Sequence, residues 1–236
     1  MIAYTLLLIA LAIIPAIILV YYVARYDKVE KEPKKLLFTL FCFGALSTLP
    51  ASILESLLSL LLTPFIPEGS ILYSIIEGFI IAGLVEESCK YYFLKKRTWN
   101  DPNFDFKFDA VLYAVCISLG FAALENIFYV FENGFSIVLP RALLSIPGHC
   151  CFAVLMGHYY GKEKLFESKP SAKSYHKKAI LLPMCLHGIF DSLLMIGSGF
   201  TLLLYALYIV VLYICTFRMV KKDSREDQQI IHYDNV

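Results

Sequence analysis

An all-α, polytopic membrane fold is what this sequence predicts, on three observations. Of its 236 residues 58% are hydrophobic, and the mean hydropathy is +0.66. Only 17% are charged, against roughly 25% in soluble domains. The apolar residues gather into seven runs, at about 1–23, 36–63, 71–94, 108–131, 137–160, 179–199 and 201–218, near the ~20 residues that cross a bilayer as a helix. Soluble globular enzymes and disordered chains are thereby excluded. A net charge of +1 without a dense basic block also argues against a nucleic-acid partner.

The elements follow in order. No basic flank precedes the first run and no small-residue cleavage site follows it, so it reads as a retained helix rather than a secretory signal. The basic residues choose among the loops between runs. Arg25, Lys28, Lys31, Lys34 and Lys35 follow the first run, and Lys95, Lys96, Arg97 and Lys107 the third. A further group from Lys162 to Lys178 follows the fifth, and Arg218, Lys221, Lys222 and Arg225 close the seventh. The loops at 64–70, 132–136 and about 200 carry none. Basic loops stay in the cytoplasm, so the N-terminus is predicted outside and the tail over 219–236 in the cytosol. One membrane domain over 1–236 is expected, its motif-bearing core at about 71–199. The seven cysteines (Cys42, Cys89, Cys116, Cys150, Cys151, Cys185, Cys215) lie inside apolar runs with no CxxC pair, so packed thiols are expected rather than disulfides or a zinc ribbon.

Two basic residues remain, Lys90 and Arg141, both inside apolar runs. With them are Glu55, Glu77, Glu86, Glu87, Glu125, Asn126, His149, His158, His187 and Asp191. A charge at the bilayer centre costs at least ~2.5 kcal/mol even on insertion scales, so these groups must be paired, neutralised or turned to a wet cavity. On a helix Glu86 and Lys90 lie about 40° apart, whereas Glu86 and Glu87 diverge by about 100°. The two acids are therefore expected to divide, one facing a reaction centre and the other pairing with Lys90 or bracing a neighbouring helix. A buried structural ion network is the plainer alternative.

In the fourth run small residues precede Glu125 and Asn126 and allow close helix contact. Glu125 reads either as a site residue or as a carboxyl hydrogen-bonded between helices. Asp109 opens that run and suits the positive end of the helix dipole. His149 follows Pro147-Gly148, and His187 lies four residues after Pro183. Prolines inside helices predict kinks that open a cavity beside each imidazole. Asp191, one turn beyond His187, is spaced to bind the same metal or to orient the ring. Arg141, two turns before His149, is spaced to neutralise acids or hold a carbonyl. His158 falls on the face opposite His149 and reads as structural. His176 and His232 read as solvated, and Glu55 and Glu77 as snorkelling or helix-bridging acids.

Acids and imidazoles converging from four helices suit activation of water on a carbonyl. One route uses Zn²⁺ held by His149, His187 and a carboxylate such as Asp191, with a position left for water. The other has Glu86 and His149 deprotonate water directly while His187 stabilises the oxyanion. With no HExxH signature, both routes stay open.

Four motifs carry a resemblance. They are EExxK (Glu86, Glu87, Lys90), GFAxxEN (Gly120 to Asn126), an Arg followed by PGH (Arg141, Pro147 to His149) and HGxFD (His187 to Asp191). In this order, on four predicted helices, they resemble the PrsW family of bacterial membrane proteases, distant relatives of the CAAX-processing and bacteriocin-immunity proteases. The resemblance covers about 86–191. It implies an intramembrane peptidase of the bacterial cell membrane that makes the first cut in a single-span anti-sigma factor, leading to release of an extracytoplasmic-function sigma factor. It also implies Glu86, Glu87, His149 and His187 as the catalytic set, supported by Lys90, Glu125, Asn126, Arg141 and Asp191. Lys90 stands one position before the arginine of the CAAX proteases and Glu125 where they have histidine, which weighs against prenyl-protein processing. By residue count Glu86 and His187 lie about eight residues, ~12 Å, from the cytosolic edge, at odds with a first cut on the outer side.

Two competing functions are a proton- or solute-coupled transporter, weakened by the lack of an internal repeat, and a non-catalytic scaffold that binds membrane helices. A retinal-type receptor is set aside because 201–218 has no lysine for a Schiff base.

Overall fold

The computed structural model describes residues 2–230; His232 lies outside them. In hydrocarbon a backbone segment must satisfy its own N–H and C=O groups, which drives each apolar run into a helix. The elements are α1 (Ile2–Ala24), α2 (Lys34–Leu62), α3 (Ile71–Ile76), α4 (Val85–Thr98), α5 (Asp109–Asn133), α6 (Val138–Pro140), α7 (Ile146–Leu165), α8 (Ala172–Ile196) and α9 (Gly199–Arg225). Among the described residues the extended structure is one bridge, Phe106 with Gln229.

Five helical runs are long and apolar enough to cross a membrane: Tyr4–Ala24, Lys34–Leu62, Asp109–Leu165, Ala172–Ile196 and Gly199–Arg225. The expected seven differ in two places. The α3–α4 run is not among the five, because Glu77, Glu86, Glu87 and Lys90 crowd its middle. The fourth and fifth runs form one long stretch that doubles back at Gly134, whose φ of +70° a glycine adopts without strain. Its legs are antiparallel: Gly161 meets Lys107, Gly157 meets Val111, and Ser118 bonds the carbonyl of His149.

Helix irregularity falls where the sequence did not mark it. A π-helical stretch, Glu77–Leu84, runs straight into the acids of α4, and a second, Arg141–Ser145, precedes His149. Pro147 follows that second stretch without a break in helical backbone, so it lies inside a helical run as expected, and the nearby Leu143 and Leu144 carbonyls accept from Tyr213 Oη at 2.8 and 3.3 Å. Pro183 also lies inside a helix, the continuous α8.

Glycine contacts set how closely the helices approach. A Cβ on Gly44 would stand 1.9 Å from the Ile117 carbonyl oxygen, and one on Gly120 2.0 Å from that of Phe41. The α2 and α5 backbones therefore touch at this crossing. Beyond Ala51, α2 has no further buried residue, though Leu58 packs against Ala51, Val85 and Phe121 and Ser59 Oγ lies 2.8 Å from Tyr73 Oη of α3. Gly120→Ala is expected to destabilise at the upper end of the ~1–3 kcal/mol of an overpacked core. Thermal unfolding in detergent checks this against Gly199→Ala, whose Cβ would meet nothing within 4 Å.

The basic loops gather at one end. There Tyr113 Oη donates to Glu32 Oε2 (2.7 Å), Phe108 N to Asp227 Oδ1 (2.8 Å) and Lys107 N to Gln228 O (2.9 Å). Residues after α9 thus pair with the loop before α5. Asp109 accepts from Phe106 N at 2.7 Å, in keeping with a helix-opening acid. The helices run past the expected edges. Glu86 is about twelve residues from the basic end of α4, ~18 Å, and His187 about fifteen from that of α8, ~22 Å, which revises the shallower depth read from hydropathy.

All seven cysteines are free. Cys116, Cys150 and Cys151 are buried as expected, but Cys42, Cys185 and Cys215 are exposed on helix faces that carry apolar side chains outward. An apolar run in a membrane protein has a lipid face as well as a packed one, so hydrophobic context does not imply burial.

Candidate active site

The site starts at the first turn of α4. Lys90 is fully buried, and its Nζ donates to Glu86 Oε2 (2.9 Å) and Glu87 Oε1 (2.8 Å) and lies 3.1 Å from His149 Nδ1. Both acids therefore pair with Lys90, where only one was expected to. The reason is reach: a lysine at i+3 and i+4 can touch two adjacent acids from the same turn. Their surroundings still differ. Glu87 is 0% exposed and bonded to His187 Nδ1 at 3.0 Å, whereas Glu86 borders the cavity described below.

Hydrogen-bond logic assigns the His149 tautomer. An ammonium only donates, so Nδ1 accepts and the ring proton sits on Nε2, 3.1 Å from Glu125 Oε2. Glu125 Oε2 also accepts from Arg141 Nη2 at 2.7 Å. Arg141 Nε donates to Asn126 Oδ1 (2.7 Å), and Asn126 Nδ2 to the Ala12 carbonyl on α1 (3.0 Å). The GFAxxEN acid and amide thus form a bracket that holds His149 and ties α1, α5 and the Arg141 stretch together. Arg141 neutralises an acid here, the first of its two expected roles.

His187 is held from both sides. Nδ1 faces Glu87, and Nε2 lies 3.1 Å from Asp191 Oδ2. The ring stacks on Phe152 at 4.8 Å and stands edge-on to His149 at 5.3 Å. Asp191 is therefore on the nitrogen turned away from the acids, and the expected ligand trio of His149, His187 and Asp191 does not converge on one point. A residue at i+4 reaches the outer edge of the ring, leaving the inner nitrogen for α4. The ligand atoms that do converge belong to Glu86, Glu87, His149 and His187, all buried and within 4.8 Å of one another.

A cavity of about 970 Å³ opens beside this cluster, bordered by Glu86, His149 and His187. Its walls come from Thr48–Ser56 of α2, Glu125–Glu132 of α5, the Arg141 stretch and start of α7, and the last turns of α8. Each of these is the part of its helix away from the basic end. Glu55 and Glu77, expected to snorkel or bridge helices, line the same cavity, and Glu55 Oε1 and Glu77 Oε2 are buried without a hydrogen-bond partner. A signal for Glu55 was available: Thr48, Ser52 and Ser56 recur every four residues on the face that carries it.

Residues 32–216 match the family described as PrsW family intramembrane metalloprotease. The chain belongs to the PrsW family. It is 32% identical over 224 residues to Protease PrsW of Clostridioides difficile (strain 630), covering 93% of this chain and 92% of the relative. Against Protease PrsW of Geobacillus kaustophilus (strain HTA426) the identity is 32% over 215 residues, 91% of each chain. Protease PrsW of Bacillus subtilis (strain 168) is 30% identical over 187 residues, 79% of this chain and 82% of the relative. No solved structure matches. Membership makes the chain a peptidase and a multi-pass bacterial membrane protein.

The PrsW family description implies a metal, and the donor set here fits one. Two carboxylates and two imidazoles converge, and Glu87 Oε2 is buried with no partner among the described residues; oxygen and nitrogen donors of this kind suit a borderline divalent ion.

The other two histidines among the described residues of this PrsW protein lie toward the basic end. His158 Nδ1 contacts Asp223 Oδ2 at 2.8 Å and joins α7 to α9. His176, expected to be solvated, lies 2.8 Å from Tyr91 Oη and 3.2 Å from Glu163 Oε1 while 42% of its side chain stays exposed. Its loop position concealed that α8 begins four residues earlier and turns the ring toward α4. His158→Ala is expected to leave cleavage close to wild type, since His158 is not among the residues that border the cavity. A substrate-cleavage time course checks this, and loss of activity in folded protein would place His158 in the machinery.

Proposed function

We propose that the chain is a seven-helix protease, N-terminus outside and C-terminus cytosolic, that makes the first cut in a single-span anti-sigma factor and so leads to release of an extracytoplasmic-function sigma factor. The cavity carries this reading. Its walls are the helix parts nearer the loops without lysine or arginine, which the positive-inside rule assigns to the outside. The α5–α7 hairpin supplies two crossings, and the charged α3–α4 run, shielded by its neighbours, a third.

Glu86 is the general base in this mechanism. Lys90 pins its Oε2, and the carboxylate borders the space where water and a peptide carbonyl meet. It takes a proton as water attacks the carbonyl carbon and returns it to the leaving amide nitrogen as the C–N bond breaks. His187 and Arg141 also border the cavity, and the Arg141 guanidinium supplies positive charge that offsets the tetrahedral oxyanion. Glu87 and Asp191 are positioning residues for His187, and Glu125 for His149. Lys90 sets its ammonium against both acids, 2.9 Å from Glu86 Oε2 and 2.8 Å from Glu87 Oε1. A Zn²⁺ ion held by Glu86, Glu87, His149 and His187 would supply Lewis-acid polarisation when bound.

Co-expression with a tagged single-span anti-sigma factor tests the reading. Mass spectrometry of the shortened fragment is expected to place the cut on the extracytoplasmic side. A cut on the cytosolic side, or none across several such substrates, overturns it.

A further inference from the structure

The second half of α2 has two unlike faces. Ile53, Leu54, Leu57, Leu60 and Leu61 are exposed on the outside, as a lipid-facing helix requires. Thr48, Ser52, Glu55 and Ser56 line the cavity on the inside. Ser52 and Ser56 are exposed to that space, and Glu55 Oε1 has no hydrogen-bond partner. Ser56 Oγ spends its proton on the Ser52 carbonyl (2.7 Å) and Thr48 Oγ1 on that of Phe121 (3.4 Å), so both hydroxyls offer the cavity lone pairs. The strip is therefore a row of acceptors. It stands on a helix pinned to α5 at Gly44 and Gly120 and at most half-buried beyond Ala51.

A membrane-spanning substrate reaches such a cavity as a helix, and its scissile bond must leave that helix to be attacked. Each N–H freed within the hydrocarbon costs several kcal/mol until it finds an acceptor. Resting on the protease reading, we propose that this face of α2 docks the unwound stretch of the substrate, with Ser52, Glu55 and Ser56 accepting backbone N–H groups next to the scissile bond. The occupant is thus an extended segment of a spanning helix, running alongside α2 and opposite Glu86. Glu55 supplies binding rather than chemistry, since the proton transfers belong to Glu86.

Two measurements test this. A photo-crosslinking amino acid is placed at Ser52 or Ser56, and at the outward Ile53 or Leu57 as controls, in a Glu86→Gln background that leaves co-expressed substrate uncut. Adducts are expected at Ser52 and Ser56 and not at the controls. Equal adducts at Ile53 and Leu57, or none at Ser52 and Ser56, overturn the strip. In proteoliposomes, Glu55→Leu is expected to raise KM about fivefold, the usual weight of one hydrogen bond, with kcat nearly unchanged, and Glu55→Gln, which keeps an acceptor oxygen, to restore most of the loss. A fall in kcat that Gln does not rescue overturns the docking role. Cleavage that persists in Glu86→Gln would instead overturn the protease mechanism, independently of where the adducts form.

Discussion

Glu86→Gln is expected to lower the rate of substrate cleavage about 10²–10⁴-fold, the usual contribution of a general base, while the protein stays folded. Glutamine has nearly the same shape and keeps an acceptor for Lys90, whose ammonium now lies 2.9 Å from Glu86 Oε2, but it cannot take a proton from water. Initial rates in proteoliposomes, normalised to the monodisperse fraction by size exclusion, measure the effect. Glu87→Gln is the informative comparison. Glu87 does not border the cavity, and its Oε1 meets Lys90 and His187, so its loss acts through the angle of the His187 ring and is expected to be smaller. Wild-type rates for Glu86→Gln would remove Glu86 as the base. A larger loss in Glu87→Gln would exchange the roles of the two acids.

Lys90→Met is expected to cost ~3–5 kcal/mol of stability, the range seen when one partner of a buried ion pair is removed. The substitution keeps side-chain length and takes away the cation between Glu86, Glu87 and His149, leaving Glu86 without its lysine and Glu87 with His187 alone. Unfolding in detergent, followed by denaturant or heat, measures it. Adding Glu87→Gln to Lys90→Met is expected to recover part of the loss, because one of the two carboxylate charges goes with it. A divalent ion added to the single variant is expected to raise its melting temperature more than that of wild type, since the ion binds the native cluster and no longer competes with an ammonium held by the same acids. Unchanged stability in Lys90→Met would mean that the ammonium is not held among the acids. Equal ion-induced shifts in both proteins would mean that ion and ammonium do not share a site.

How far the site was legible depends on the residue. The spacing of Glu86 and Lys90 announced their contact, and that of His187 and Asp191 theirs, because i and i+4 share a helix face whatever the rest of the protein does. The cost of charge in hydrocarbon marked Lys90, Glu125 and Arg141 as groups needing partners, and Arg141 does find Glu125. The same reasoning misplaced Glu55 and Glu77. An acid in an apolar run can face lipid through a long side chain or face a cavity, and the choice depends on neighbours that are remote in sequence. For Asp191 the limit was similar: spacing says that it touches the His187 ring, not which nitrogen.

By itself the sequence determined the helical membrane class, because apolar length and the need to satisfy backbone groups in lipid leave few alternatives, and it determined the family through four motifs in order. Only the tertiary structure decided that the cavity lies on the side away from the basic loops, that Lys90 stands between both acids and His149, and that the π-helical stretches fall just before Glu86 and His149. Those outcomes depend on how helices rotate and cross where Gly44 and Gly120 let backbones meet, and a helix's rotation is set by contacts with residues tens of positions away rather than by its own period.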